Sequence, residues 1–278
     1  MRKLLAALTI TLSAAIAVAP PSQAEPGIEP AGAVAIPEGP AQAWLLADLD
    51  TGRILASRNP YESHAPASTI KVLLTIVALD QLNLNSAIIA RPANTAVECS
   101  CAGITPGRAY TAKQLLDAVL LISGNDAANT LADMLGGFQM AVAKMNAKAA
   151  QLGARSTRVT TPSGLDAPGM DMRTTPFDLA LIFRAALRYP VFGQIARQPA
   201  ALFPDGLGYK QIVNQNELLQ RYPGALGGKT GYTNIARKTY VGAAQRNGHR
   251  LVVVQMYGEG DLYGQAIGLL DWGFSLYR

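Results

Sequence analysis

The sequence predicts a mixed α/β (α+β) domain in which strands from both chain ends build one antiparallel sheet, flanked by helices, with a mainly helical central lobe. Three observations carry this reading. Strand-like runs fall near residues 44–57 and 226–257, helical runs fill most of the span between them, and Asn247-Gly248 joins the last two strands with the strongest short hairpin signal. Terminal strands that meet in one sheet, with helices covering its faces, make a single structural domain. At 278 residues, 49% apolar and 15% charged, the chain can bury a full core and lacks the composition of a disordered protein.

Taken from the start, Arg2 and Lys3 precede the apolar run Leu4 to Ala19, and Ser22-Gln23-Ala24 supplies small residues before Glu25. This is the layout of a secretory signal peptide, residues 1–24, which sends the chain out to the periplasm, the cell envelope or the medium. If retained, the run is a thin anchor; no later apolar stretch is long enough to span a bilayer, so no integral span is expected after signal cleavage. Residues 25–41, rich in Pro, Gly and Ala, read as a flexible leader. The folded domain is expected over 42–278.

Trp44 to Asp48 and Arg53 to Ser57 read as two strands around the turn Asp50-Thr51-Gly52. Ser68 to Leu82 is apolar nearly all round, which marks a buried central helix with Ser68 and a lysine in its first turn. Thr111 with Gln114 makes a capping box for a helix to about Ile122. The next helix resumes near Asp126, so Ser123-Gly124-Asn125 is expected on a short exposed link. Residues 136–215 read as mainly helical, for example Phe177 to Leu187. Leu226 to Thr233, Lys238 to Gln245 and Arg250 to Tyr257 read as strands, and Tyr263 to Tyr277 as a closing helix.

Composition excludes some functions. The formal charge of +5 falls to +3 without Arg2 and Lys3, too weak and scattered for a nucleic-acid partner. His64 and His249 are the only histidines, and Cys99 and Cys101 the only cysteines, so no metal site is expected. With one residue between them, the cysteines could form only a tight bridge, and they are read as structural.

The chemistry is carried by three short motifs in order: Ser68-Thr69-Ile70-Lys71, Ser123-Gly124-Asn125 and Lys229-Thr230-Gly231. Ser57-Arg58-Asn59 also fits the second pattern but precedes Ser68 in a strand. Each motif alone is weak, and their conjunction is specific. A serine hydroxyl needs a base, and a lysine can be that base only when neutral. Three residues along a helix put Ser68 and Lys71 on one face, and burial plus a second ammonium, Lys229, disfavour the charged form of Lys71. The helix N-terminus beside Ser68 steadies charge on an attacked carbonyl oxygen.

With these motifs, the stretches Asp126-Ala127-Ala128, Thr161 to Asp166, Asn214-Gln215-Asn216 and Gly227 to Thr233 make the chain resemble the low-molecular-weight D-alanyl-D-alanine carboxypeptidases, serine peptidases related to penicillin-binding proteins. The resemblance covers nearly the whole chain from Trp44 and implies a β-lactamase/transpeptidase-like fold. It implies that Ser68 forms an acyl-enzyme, Lys71 accepts its proton, Ser123 relays protons, and Asn125 binds the substrate's peptide chain. Lys229, Thr230 and Gly231 would receive the terminal carboxylate, and the backbone N–H groups of Ser68 and Tyr232 would form the oxyanion hole. Peptidoglycan stem peptides are the implied partners and β-lactams the implied inhibitors, with no cofactor.

Two departures stand out. Arg237 replaces an expected small residue, which bears on specificity, and the sequence ends after the closing helix, so a single-domain enzyme without the C-terminal β-rich domain and amphipathic tail of many relatives is expected. The rivals are a D,D-endopeptidase or transpeptidase with the same first half-reaction, a β-lactamase, and an inactive peptidoglycan-binding protein. No glutamate lies between Ser123 and Glu217, and Glu217 is only 12 residues before Lys229, so the group a β-lactamase needs for deacylation is missing. A Ser-His-Asp hydrolase using His64 lacks any G-x-S-x-G elbow.

Overall fold

Alternation on two faces explains the central sheet. In the strand β1 (Ala41–Asp48), Leu45 and Ala47 point into one apolar cluster while Trp44 and Leu46 point into another. Its antiparallel neighbour near the other chain end divides the same way, with Val252 and Val254 on the first side and Leu251 and Val253 on the second. A strand covered on both faces must be apolar at every position, which is why these segments read as continuous runs. The computed structural model describes residues 35–166, 169 and 171–277. The expected signal peptide and the leader up to residue 34 lie outside the described residues.

After β1 come β2 (Ile54–Arg58), a 3₁₀ turn (Ala67–Ile70) and α1 (Lys71–Gln81). The middle carries β3 (Ala87–Ile89), α2 (Pro92–Thr95), β4 (Ala109–Thr111), α3 (Ala112–Leu121), α4 (Asn125–Met134), α5 (Phe138–Gln151), α6 (Pro176–Ala186) and α7 (Pro190–Arg197). The chain closes with β5 (Ala200–Asp205), β6 (Gly208–Val213), α8 (Leu218–Arg221), β7 (Ala225–Thr233), β8 (Arg237–Arg246), β9 (His249–Gly258) and α9 (Leu262–Ser275). The main sheet is antiparallel in the order β2-β1-β9-β8-β7, so both chain ends build it and β7 is an edge strand. One face carries the cluster with Leu269, Leu270 and Phe274 of α9, and the other the larger core of α1, α3 and α6. The described residues from Ile36 onward form one compact unit.

Several expectations change. The stretch read as leader ends in packed residues: Ile36 lies against the α9-side cluster, and β1 starts at Ala41. The central helix opens not as an α-helix at Ser68 but as a 3₁₀ turn that becomes α-helical at Lys71. The span 136–215 contains the β5–β6 hairpin, turning at Gly206-Leu207, and β3 pairs with β4. The capping box forms as expected, with Thr111 accepting from the Gln114 N–H at 3.2 Å and Gln114 accepting from the Thr111 N–H at 2.9 Å. The β8–β9 turn places both Asn247 and Gly248 at positive φ, as a two-residue hairpin turn demands. Among the described residues, no single helix is long and apolar enough to cross a membrane.

Candidate active site

The 3₁₀ turn is what aligns the first motif. Residues i and i+3 eclipse in that geometry, so Ser68 and Lys71 stand in register more closely than on an α-helix. Lys71 Nζ lies 2.7 Å from Ser68 Oγ. The turn is held by Pro66, whose carbonyl accepts from Thr69 Oγ1 at 2.6 Å and from Thr239 Oγ1 of β8 at 2.9 Å. Gly164 backs it: at φ +86°, an added Cβ would sit 2.1 Å from the Ala67 carbonyl oxygen. Only glycine fits there.

Lys71 is fully buried and donates to Asn125 Oδ1 at 2.7 Å and to the Ser163 carbonyl at 2.6 Å. Burial, reinforced by the nearby Lys229 and opposed by Asp126, holds its ammonium pKa well below the ordinary lysine value. A neutral amine has two N–H groups and one lone pair. Asn125 Oδ1 and the Ser163 carbonyl can only accept, so they occupy the two N–H groups and leave the lone pair for the Ser68 hydroxyl.

The second motif is brought to the same place, but not on an exposed link. Ser123 and Asn125 are buried, Ser123 adopts φ +61°, and Asn125 is the first residue of α4. The cover is the segment 98–104, pinned by Asp126, whose carboxylate accepts from the N–H groups of Ala102, Gly103 and Ile104 at 2.8 to 2.9 Å. Asn125 Nδ2 donates to the Glu98 carbonyl at 2.7 Å. Asp126, Glu98 and Ser163 were not singled out as site residues from sequence: two act through backbone carbonyls, which carry no side-chain signature. Gly164 and the acid in the first turn of α4 were the available signals.

The third motif lies on edge strand β7. Lys229 is buried, donates to Ser123 Oγ at 3.0 Å and to the Thr230 carbonyl at 2.7 Å, and burial lowers its pKa to about 7. Gly231 meets the 3₁₀ turn that carries Ser68: a Cβ there would lie 2.7 Å from the Ser68 nitrogen. The strand carrying the Tyr232 N–H therefore runs against the Ser68 N–H. Ser68, Ser123, Thr230, Gly231 and Tyr232 line one cleft of about 680 Å³, which continues past Arg221, Lys238 and Tyr263.

The remaining candidates lie elsewhere. His64 pairs in a β-bridge with Thr174 and stacks on Tyr257, and His249 stacks on Tyr277, so neither serves Ser68 as a base. Arg237 sits at positive φ at the tip of the β7–β8 hairpin, opposite Thr233. Cys99 and Cys101 form a disulfide. Among the described residues, no three or more His, Cys, Asp or Glu side chains gather as a metal site.

A serine, a buried lysine and a second buried lysine joined through serine and asparagine define a serine acyl-transferase site on an α/β scaffold of the penicillin-recognising kind. The chain belongs to the D-alanyl-D-alanine carboxypeptidases, peptidase family S11, which matches residues 31–260. It is a serine-type carboxypeptidase of that family of cell-wall enzymes. It is 62% identical over 258 residues to D-alanyl-D-alanine carboxypeptidase DacB2 of Mycobacterium tuberculosis, covering 91% of this chain and 89% of that one. The crystal structure of a D-alanyl-D-alanine carboxypeptidase from the same organism superposes with a TM-score of 0.87 at 61% identity, covering 89% of this chain and 96% of that one. The Streptomyces K15 DD-transpeptidase matches with a TM-score of 0.82 at 26% identity, over 87% of this chain and all of the other.

Proposed function

We propose that the chain removes the terminal D-alanine from peptidoglycan stem pentapeptides outside the cytoplasmic membrane, through an acyl-enzyme on Ser68. The observation that carries this is the pairing of Lys71 with two obligate acceptors and one hydroxyl. It supports Lys71 as the base that takes the Ser68 proton. Ser68 Oγ attacks the carbonyl of the penultimate D-alanine while its proton passes to Lys71. The Ser68 and Tyr232 N–H groups stabilise the oxyanion.

Collapse of the tetrahedral intermediate breaks the peptide bond, and the leaving amine takes a proton along Ser123, whose hydroxyl accepts from Lys229. The substrate's carboxylate docks at Thr230 and Gly231, drawn by the Lys229 charge, as an added strand on the open edge of β7. An amide nitrogen carries two N–H groups; beside the bond to Glu98, the second N–H of Asn125 is the one suited to the substrate's backbone. Water then releases the shortened peptide.

Release of D-alanine from a stem-peptide mimic, by the parent and by Ser68→Ala, tests this reading. D-alanine from the parent alone supports it; equal release, or none from either, rejects it. The likeness to a DD-transpeptidase favours one further reading, transfer of the same acyl group to an amine. Adding an amino-acid acceptor to the assay separates the two by the mass of the product.

A further inference from the structure

Asn125 is held from the side opposite Lys71 by one small loop. Its backbone N–H donates to the Ser100 carbonyl at 2.6 Å and its Nδ2 to the Glu98 carbonyl at 2.7 Å. Between and beside these carbonyls, the Cys99–Cys101 disulfide closes the backbone into a ring around Ser100. Ser100 lines the catalytic cleft, and its hydroxyl donates to the Ile122 carbonyl at 3.0 Å. The segment from 96 to 108 contains no helix or strand, so regular hydrogen bonding does not fix those two carbonyls. Asp126 anchors the loop only from Ala102 onward. Before Ala102, the bridge acts together with the Ser100 hydroxyl bond to Ile122 to restrain the loop.

We propose that the Cys99–Cys101 disulfide is a positioning element of the active site, whose opening by a thiol reductant releases Asn125 and thereby misplaces Lys71. The proposal rests on the acyl-enzyme reading above. Cys99 is exposed and Cys101 half-buried, so a small dithiol can reach the bridge. A thiolate of dithiothreitol attacks one sulfur to form a mixed disulfide, and its second thiolate displaces the protein sulfur. Two electrons and two protons pass to the protein, leaving two cysteine thiols and one cyclic dithiothreitol disulfide. The outward-facing site thus becomes sensitive to the redox state of its surroundings.

The test measures the acylation rate of the mature protein by a fluorescent penicillin, oxidised and after reduction, with the state of the cysteines verified by a two-dalton gain in mass. Parallel samples are the double variant Cys99→Ser/Cys101→Ser and the variant Asn125→Ala in both redox states. Reduction is expected to slow acylation of the wild type roughly tenfold to a hundredfold, the scale of a small misplacement of a catalytic group. Reoxidation restores the rate, the far-UV circular dichroism does not change, and reduction alters the already slow Asn125→Ala variant less than twofold.

A reduced wild type that acylates within twofold of the oxidised form overturns the proposal. So does a loss of rate that tracks a loss of far-UV signal, or an equal slowing of Asn125→Ala, since either means the bridge does not act through Asn125. Should the double variant fail to fold, the reduced wild type still decides. An oxidised protein that penicillin never acylates rejects the acyl-enzyme reading itself, and this proposal with it.

Discussion

Lys71 Nζ stands 2.7 Å from Ser68 Oγ, with both of its N–H groups claimed by Asn125 and Ser163. The arrangement predicts that Lys71→Met, which keeps the apolar stem and removes the base, slows acylation by benzylpenicillin at least a hundredfold. Ser163 contributes only its carbonyl to Lys71, so Ser163→Ala is expected to retain acylation within about tenfold. Stopped-flow acylation of the two variants checks the contrast.

The pH dependence follows from Lys229. Burial lowers its pKa to about 7, so it is charged below that pH and neutral above it. Attraction for the substrate's terminal carboxylate is therefore present on the acid side and lost as pH rises, and kcat/KM is expected to fall above about pH 7. A substrate ending in a carboxamide should lack that falling limb. Stability moves the other way: between about 7 and 10.5 the unfolded chain holds one more proton at this site, so the destabilising effect of burying Lys229 shrinks as pH rises. Melting temperatures of Lys229→Met and wild type should converge over that window.

Gly164→Ala is predicted to injure both stability and activity. Its Cβ would collide with the Ala67 carbonyl in a backbone conformation that L side chains rarely adopt, at a cost of about 2 kcal/mol or more. Because Ala67 opens the turn that carries Ser68, the fraction that stays folded should also acylate slowly. Thermal melts beside penicillin titrations of active sites separate the two effects.

Thr111→Ala provides the opposite pattern. It removes the capping box of α3, away from Ser68, and should cost about 1 kcal/mol. Acylation per folded molecule is expected to match wild type, as measured by the same titration.

How much of this was legible in the sequence depended on where the information sits. The central strands were readable because Trp44 to Ala47 and Leu251 to Val254 alternate between two cores and are apolar throughout. Motif order was readable because Ser68, Lys71, Ser123, Asn125, Lys229 and Thr230 offer their groups on side chains, which the sequence prints. The buried setting of Ser123 was not, because the cover comes from residues 98–104, tied down by one carboxylate in α4. The β5–β6 hairpin was hidden by Pro204, which argues against a strand, although Gly206, at positive φ, opens its two-residue turn. Three-residue strands such as β3 and β4 pair across a long loop and leave little periodicity to detect.

On the proposed reading, Ser68 is a nucleophile that a β-lactam acylates readily and leaves slowly. Intact-protein mass spectrometry after brief exposure to benzylpenicillin, beside Ser68→Ala, decides the matter. One stable drug adduct is expected on the parent, mapped to the peptide containing Ser68, and none on the variant. An unmodified parent, or an adduct that survives in Ser68→Ala, would contradict it.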